Sequence, residues 1–132
     1  MSSAEPAIEQ FPNRLTAYLM AVRPPFIFAS IVPILLGLSF TRYSGHSVDG
    51  MAAMLTLVAG ILLHAAINVL NDYHDSRNGT DRLNTERIYP FTGGSRFIQN
   101  GVLGEQQMLR WGLLLLLATV AIGLYLIART GS

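Results

Sequence analysis

The chain has 132 residues, of which 51% are apolar and only 13% charged, well below the ~25% charged share of an ordinary soluble domain. Nine basic residues, all arginine, nearly balance eight acidic ones, so neither a basic surface for nucleic acid nor an acidic tail is indicated. Without cysteine, a disulfide framework, a thiolate metal site and a cysteine nucleophile are excluded, and the redox compartment is left open.

The apolar residues fall into three blocks, and crossing ~30 Å of hydrocarbon takes ~20 such residues. The expected spans are about 24–41, 51–71 and 110–128. Phe26 to Phe40 is short alone, so Leu15 to Val22 reads as an interfacial approach helix, Pro24-Pro25 as first-turn prolines and Pro33 as an internal kink. Met51 to Leu70 is long enough to cross and carries His64 and Asn68. Trp111 to Ala128 holds no charge, with Arg110 and Arg129 at its ends and Trp111 and Tyr125 near the two interfaces. The fold class expected is all-α: a polytopic membrane protein forming one membrane domain over 1–132. Glu5 and Glu9 make the N-terminus acidic, unlike a signal peptide, so the first span is expected to be retained. Three spans put Arg14, Arg23, Arg77, Arg82, Arg87, Arg96 and Arg110 on one side, against Arg42 and Arg129 on the other. The positive-inside rule then makes the N-terminus and the loop 72–107 cytoplasmic, in a bacterial-type inner membrane.

The second block ends in polar residues at helical spacing. Asn68, Asn71, Asp72 and Asp75 stand at i, i+3, i+4 and i+7, one stripe of a helix, with His64 one turn deeper. Polar groups at membrane depth face a protein interior or a wet cavity and mark functional sites by default. His64 alone reads as an interhelical hydrogen-bond partner; the Asn-Asp stripe exceeds what a helix contact needs. Asp81 adds a third carboxylate. Two of the three lie at or near a helix C-terminus, where the macrodipole disfavours anions, so a cation is expected there. Oxygen ligands without thiolate or clustered imidazole suit Mg²⁺ or Ca²⁺. An EF-hand is excluded because Arg77, a cation, takes the third loop position, where a ligand oxygen is required. Magnesium held by one or two carboxylates completes its shell with water and phosphate oxygens, which implies a phosphorylated substrate. Arg77, Arg82, Arg87 and Arg96 offer forked, permanent positive charge for it, in part simply as the positive-inside signature. Thr92-Gly93-Gly94-Ser95 is either an anion-binding nest or an ordinary turn.

Asn71-Asp72-Tyr73-His74-Asp75 followed by Asn78-Gly79-Thr80-Asp81 resembles the first aspartate-rich motif of the UbiA superfamily of intramembrane prenyltransferases. Arg23-Pro24-Pro25 and Gly93-Gly94-Ser95 are similar to accompanying features of the group. The spacing of Asp75, Gly79 and Asp81 looks like the 1,4-dihydroxy-2-naphthoate branch, which acts in menaquinone synthesis, rather than the 4-hydroxybenzoate branch. The resemblance implies a transferase: Asp72, Asp75 and Asp81, with Asn68 and Asn71, would hold Mg²⁺ on a polyprenyl diphosphate, and Arg77, Arg82 and Arg96 would stabilise the leaving pyrophosphate. Asp72 and Asp75 would be the catalytic pair, and an aromatic acceptor would attack the allylic cation. The family fold is a nine-helix bundle with a second aspartate motif, so this chain would be its N-terminal third. It is expected to be inactive alone and to need C-terminal helices in cis or from a partner chain.

Three rival readings remain. A CDP-alcohol phosphotransferase fails because Ser-Arg-Asn-Gly follows Asp75. A transporter element would show paired broken helices or a repeat, and neither is visible. A small non-enzymatic three-span protein that assembles through its polar helix face is the alternative function.

Overall fold

The computed structural model describes residues 5–130. Among them the chain is all-helical and without strands. Helix α1 covers Arg14–Ala21, α2 Phe28–Tyr43, α3 Gly50–Asn78, α4 Thr80–Leu83 and α5 Glu105–Thr130. By length and composition α3 and α5 can each cross a membrane, and α1 with α2 form a third candidate span bent by 61°.

The bend has a local cause. Asn13 starts α1 by accepting a hydrogen bond from the Thr16 amide (2.8 Å), an ordinary N-cap. The helix ends at Ala21 and cannot resume through Arg23 because two prolines follow: a residue before proline is driven out of the right-handed helical region, and Arg23 sits at φ 58°, ψ 64°. Pro24–Phe26 then make a single 3₁₀ turn before α2 begins at Phe28. This strained arginine is pinned on both sides. Its guanidinium donates to the Pro90 carbonyl (2.7 Å) and lies 4.5 Å above the Phe26 ring.

Helix α3 starts at an Asp49 cap on Ala52 N (2.7 Å) and ends at Gly79, whose φ of 83° lets the chain leave in a left-handed turn. Its 29 residues rise ~43 Å, well over the ~30 Å of a hydrocarbon core. The excess carries Asp72 and Asp75 on the helix's last two turns, and irregular loop begins only after Leu83.

Packing depends on close backbone approach. Ala65, Ala66 and Val69 of α3 are buried with Met108 and Leu115 of α5. A Cβ at Gly112 would lie 2.7 Å from Leu70 Cγ and Cδ2. Small residues at such crossings substitute dispersion contact for the hydrophobic drive that lipid removes. Ala17, Ala21 and Val22 of the first bent segment close the core from the loop side, helped by Trp111 Nε1 donating to the Tyr18 carbonyl (3.1 Å). By contrast, α2 buries no residue fully, and it meets α3 where a Cβ at Gly60 would fall on Ile34 Cδ1.

Adding one methyl at Gly112 therefore forces the α3–α5 crossing apart. Gly112→Ala should lower the unfolding midpoint in detergent micelles by about 1–3 kcal/mol equivalent. Gly37→Ala, with nothing within 4 Å of the added atom, should be neutral or slightly stabilising. Equal midpoints for the two variants would refute the close crossing.

Candidate functional site at the end of helix α3

Three polar side chains on α3, spaced four residues apart, each fasten a different segment. His64 Nδ1 is 2.8 Å from Ser30 Oγ of α2. Asn68 donates to the Val22 carbonyl at the α1 terminus (3.1 Å). Asp72 accepts the Ser95 amide through both carboxylate oxygens (3.0 and 3.2 Å). Because i+4 on a helix drifts by only about 40°, one face binds three parts of the chain in succession. The sequence stripe is accordingly divided. Asn68 and Asp72 turn inward, whereas Asn71 is exposed and donates to Asp75 Oδ2 (2.8 Å) on the outer side.

The loop 92–96 is shaped by the carboxylates it meets. Gly93 and Gly94 are both left-handed (φ 81° and 72°), and Arg96 follows at φ 65°. A Cβ at Gly94 would lie 2.6 Å from Asp72 Oδ1 and 3.7 Å from Asp81 Oδ1. Only glycine fits there, and the same measurement shows that Asp72 and Asp81 face one small space. Asp81, 3% exposed, accepts from Gln99 Nε2 (2.5 Å), and its backbone carbonyl accepts from Arg96 Nη1 (3.0 Å). Burial first, and then the charge of Asp75, push the Asp81 carboxyl above the usual range, against the pull of Arg96 and Gln99. The turn is thus a clasp as well as a loop: the Ser95 amide, which could have served a nest, is committed to Asp72.

The arginines separate in the same way. Arg96 is buried against Asp81, and its Nε has no hydrogen-bond partner. Arg77 is exposed and bends back along its own helix to donate to the Tyr73 hydroxyl (2.9 Å). Arg82 lies on α4, and its side chain falls outside the described residues. Arg87 covers Gly93, where a Cβ would come within 2.8 Å of Arg87 Cβ, and it pairs with Glu5 (Nε–Oε1 2.6 Å). Among the described residues no three His, Asp or Glu side chains converge as a metal-binding group. Asp72 and Asp81 are brought together; Asp75 acts on Asp81 through its charge rather than by contact.

Beside this clasp is a small cavity of about 150 Å³, walled by Phe26, Tyr89, Pro90 and Phe97 with Arg23 and Ser95. Sequence reading had assigned roles to neither Arg23 nor Gln99. Arg23 stands out in the sequence only as part of Arg23-Pro24-Pro25, an accompanying feature without a stated role, and Gln99 carries no sequence signal at all.

A protein named 1,4-dihydroxy-2-naphthoate octaprenyltransferase from Escherichia coli (strain K12) is 32% identical over 120 residues, covering 91% of this chain and 37% of that protein. The chain belongs to the UbiA superfamily. UbiA prenyltransferase domain-containing protein 1 of Xenopus tropicalis is 29% identical over 105 residues, 80% of this chain and 28% of that protein. Its Drosophila melanogaster homolog is 37% identical over 71 residues, 52% of this chain and 20% of that protein. The chain thus spans about a third of the length of the first of these relatives and less of the others. No family model and no solved structure matches it. The superfamily assignment and the apolar helices together make this an integral membrane protein.

The raised Asp81 carboxyl fixes a sign. An acid whose folded pKa is raised stabilises the fold least when ionised, so stability is full below the ordinary aspartate value of 3.8 and falls as pH rises through the folded value. Asp81→Asn should therefore raise the unfolding midpoint by a few degrees at pH 7, and this difference should vanish near pH 3.5, about where the wild-type carboxyl is neutral too. A variant less stable than wild type at pH 7 would contradict the assignment.

Proposed function

We propose that this chain carries the diphosphate-ionising part of a prenyltransferase site. A polyprenyl diphosphate would bind with its head at the cytoplasmic end of α3 and its tail between apolar helices. The prenyl group would pass to an aromatic acceptor. The observation that carries the reading is the pair of carboxylates, Asp72 and Asp81, facing one glycine-floored space with Arg96 behind them. Two buried anions with a third nearby and one buried arginine are an unbalanced set, and hard oxygen donors of this kind fit a divalent cation such as Mg²⁺.

Asp72, Asp75 and Asp81 would hold that cation, with Asn71 positioning Asp75 through their shared hydrogen bond. The bound cation would neutralise diphosphate charge and so make pyrophosphate a better leaving group. The chain's own residues do the remainder. Asp72 keeps the Ser95 amide and hence the loop in register, and Arg96 presents fixed positive charge where charge develops on the departing oxygen. The allylic carbon–oxygen bond breaks with its electron pair leaving on pyrophosphate, the ring carbon of the acceptor attacks the cation, and the ring regains aromaticity by releasing the group that carbon held, a proton to water or the carboxylate as carbon dioxide. Asn68 acts at one remove, by fixing the end of α1 and thereby Arg23.

The aromatic-walled cavity fits the acceptor. Its volume, about 150 Å³, suits one or two fused rings, and the Arg23 guanidinium at its rim suits a ring carboxylate. Its wall residue Ser95 is the one whose amide Asp72 holds, so acceptor and diphosphate would meet across a single residue. A 1,4-dihydroxy-2-naphthoate acceptor, as in menaquinone synthesis, is the choice supported by the Asp75–Gly79–Asp81 spacing and by the name of the Escherichia coli relative. The remaining helices of a nine-helix bundle would come in cis or from a partner chain. Arginine placement supports a cytoplasmic N-terminus and site loop.

Titration of the nanodisc-embedded protein with geranyl diphosphate tests this. Binding should require Mg²⁺, and Asp72→Asn and Asp81→Asn should each weaken it at least about tenfold. Binding of equal strength in EDTA, or untouched by both substitutions, would overturn the reading in favour of a polar face used for assembly.

A further inference from the structure

The segment before α1 makes an ion pair between Glu5 and Arg87, two residues that the catalytic reading does not use. Glu5 is held by hydrogen bonds from Arg87 and Asn100 and faces the charge of Arg96, all in the loop after α4. Arg87 Nε stands 2.6 Å from Oε1, Arg96 Nε 3.8 Å from Oε2, and Asn100 Nδ2 3.4 Å from Oε2. The neighbouring Pro6 carbonyl accepts a second bond from Asn100 (2.8 Å), and Phe11 packs on Phe97 with centroids 5.1 Å apart. Two guanidiniums and an amide converging on one carboxylate form the donor set of a phosphate seat. The fit to the carboxylate is incomplete, because Arg96 Nε is buried and makes no hydrogen bond even with Glu5 in place. A group with more oxygens could satisfy it; a carboxylate, planar and with two oxygens, does not.

The seat adjoins the carboxylate space. Arg87 lies over Gly93, Arg96 is bonded to the Asp81 carbonyl, and the next residue, Gly94, abuts the Asp72 and Asp81 carboxylates. We propose that Arg87, Arg96 and Asn100 form a phosphate seat in which Glu5 is a built-in occupant, displaced when a phosphate group of the substrate arrives. The N-terminal segment then works as a latch: it keeps the arginines neutralised and ordered in the empty protein, and its release reports that the head group has bound. The proposal rests on the diphosphate reading only in placing the substrate's phosphate here, and it adds Arg87, Asn100 and Glu5 to that site.

Inorganic pyrophosphate, titrated with Mg²⁺ into the full chain in nanodiscs, is the probe. Glu5→Gln should tighten pyrophosphate binding about three- to fivefold, the size expected for releasing partly exposed ion pairs, and Arg87→Gln should weaken it. A second readout needs no variant. Limited proteolysis of wild-type protein should cut the segment around residues 5–12 faster with pyrophosphate than with sodium chloride of equal ionic strength. Tighter binding by Glu5→Gln together with faster cleavage establishes the latch. Pyrophosphate binding that depends on Asp72 but is indifferent to Glu5 and Arg87, with unchanged cleavage, overturns the latch while leaving the diphosphate reading intact. No Mg²⁺-dependent pyrophosphate binding by any form overturns both.

Discussion

The bond from the Ser95 amide to the Asp72 carboxylate is the constraint on which the site depends. A buried carboxylate must be compensated, and here the first compensation comes from a backbone N–H that is 23 positions away in sequence. That bond forces the chain between them to return to the helix, which puts Asp81 and Arg96 against α3 and requires glycine at position 94, where a side chain would strike Asp72. An ionised carboxylate has about four lone-pair directions. One amide occupies part of them, so Asp72 can both hold the loop and take part in cation binding. Structure and chemistry therefore share an atom, and a substitution at Asp72 changes both.

The membrane explains why these bonds lie where they do. Among apolar helices there is little hydrophobic drive to choose one packing over another, so specificity falls to close approach and polar pairs. Gly112 and Gly60 supply the first. His64, Asn68 and Asp72 supply the second, in ascending order towards the wet end of α3, about 12 Å from first to last. Their partners change from a side-chain hydroxyl to a helix-end carbonyl to a loop amide, each available at its own depth. The long α3 then carries charge beyond the hydrocarbon without any charge having to sit within it.

Much of this was legible in the sequence, for physical reasons. Long apolar blocks and the i, i+3, i+4, i+7 pattern depend only on helix geometry, and that geometry carried through to α3 and α5. The Asp-rich motif carried the superfamily. Other features depended on tertiary partners and left no local trace. Asn68 and Asn71 belong to the same periodic stripe, yet one meets the Val22 carbonyl just past α1 while the other is exposed and bonds only to Asp75 one turn on. Arg77 and Arg96 were equal candidates by composition; Tyr73, one turn away, captured the first, and the left-handed backbone of the loop carried the second inward. The bend at Arg23 was foreshadowed by the two prolines. Its contacts with Pro90 and Phe26, which make it a wall of the aromatic cavity, were not.

Amide hydrogen exchange at Ser95, measured in nanodiscs, addresses the central constraint most directly. The account predicts that this loop amide is protected to the level of the α3 interior, and that Asp72→Ala removes the protection at Ser95 while the amides around Ala65 and Val69 keep theirs. Rapid exchange at Ser95 in the wild-type protein would show that the loop is not held on the helix, and the carboxylate space assembled from it would fall with it.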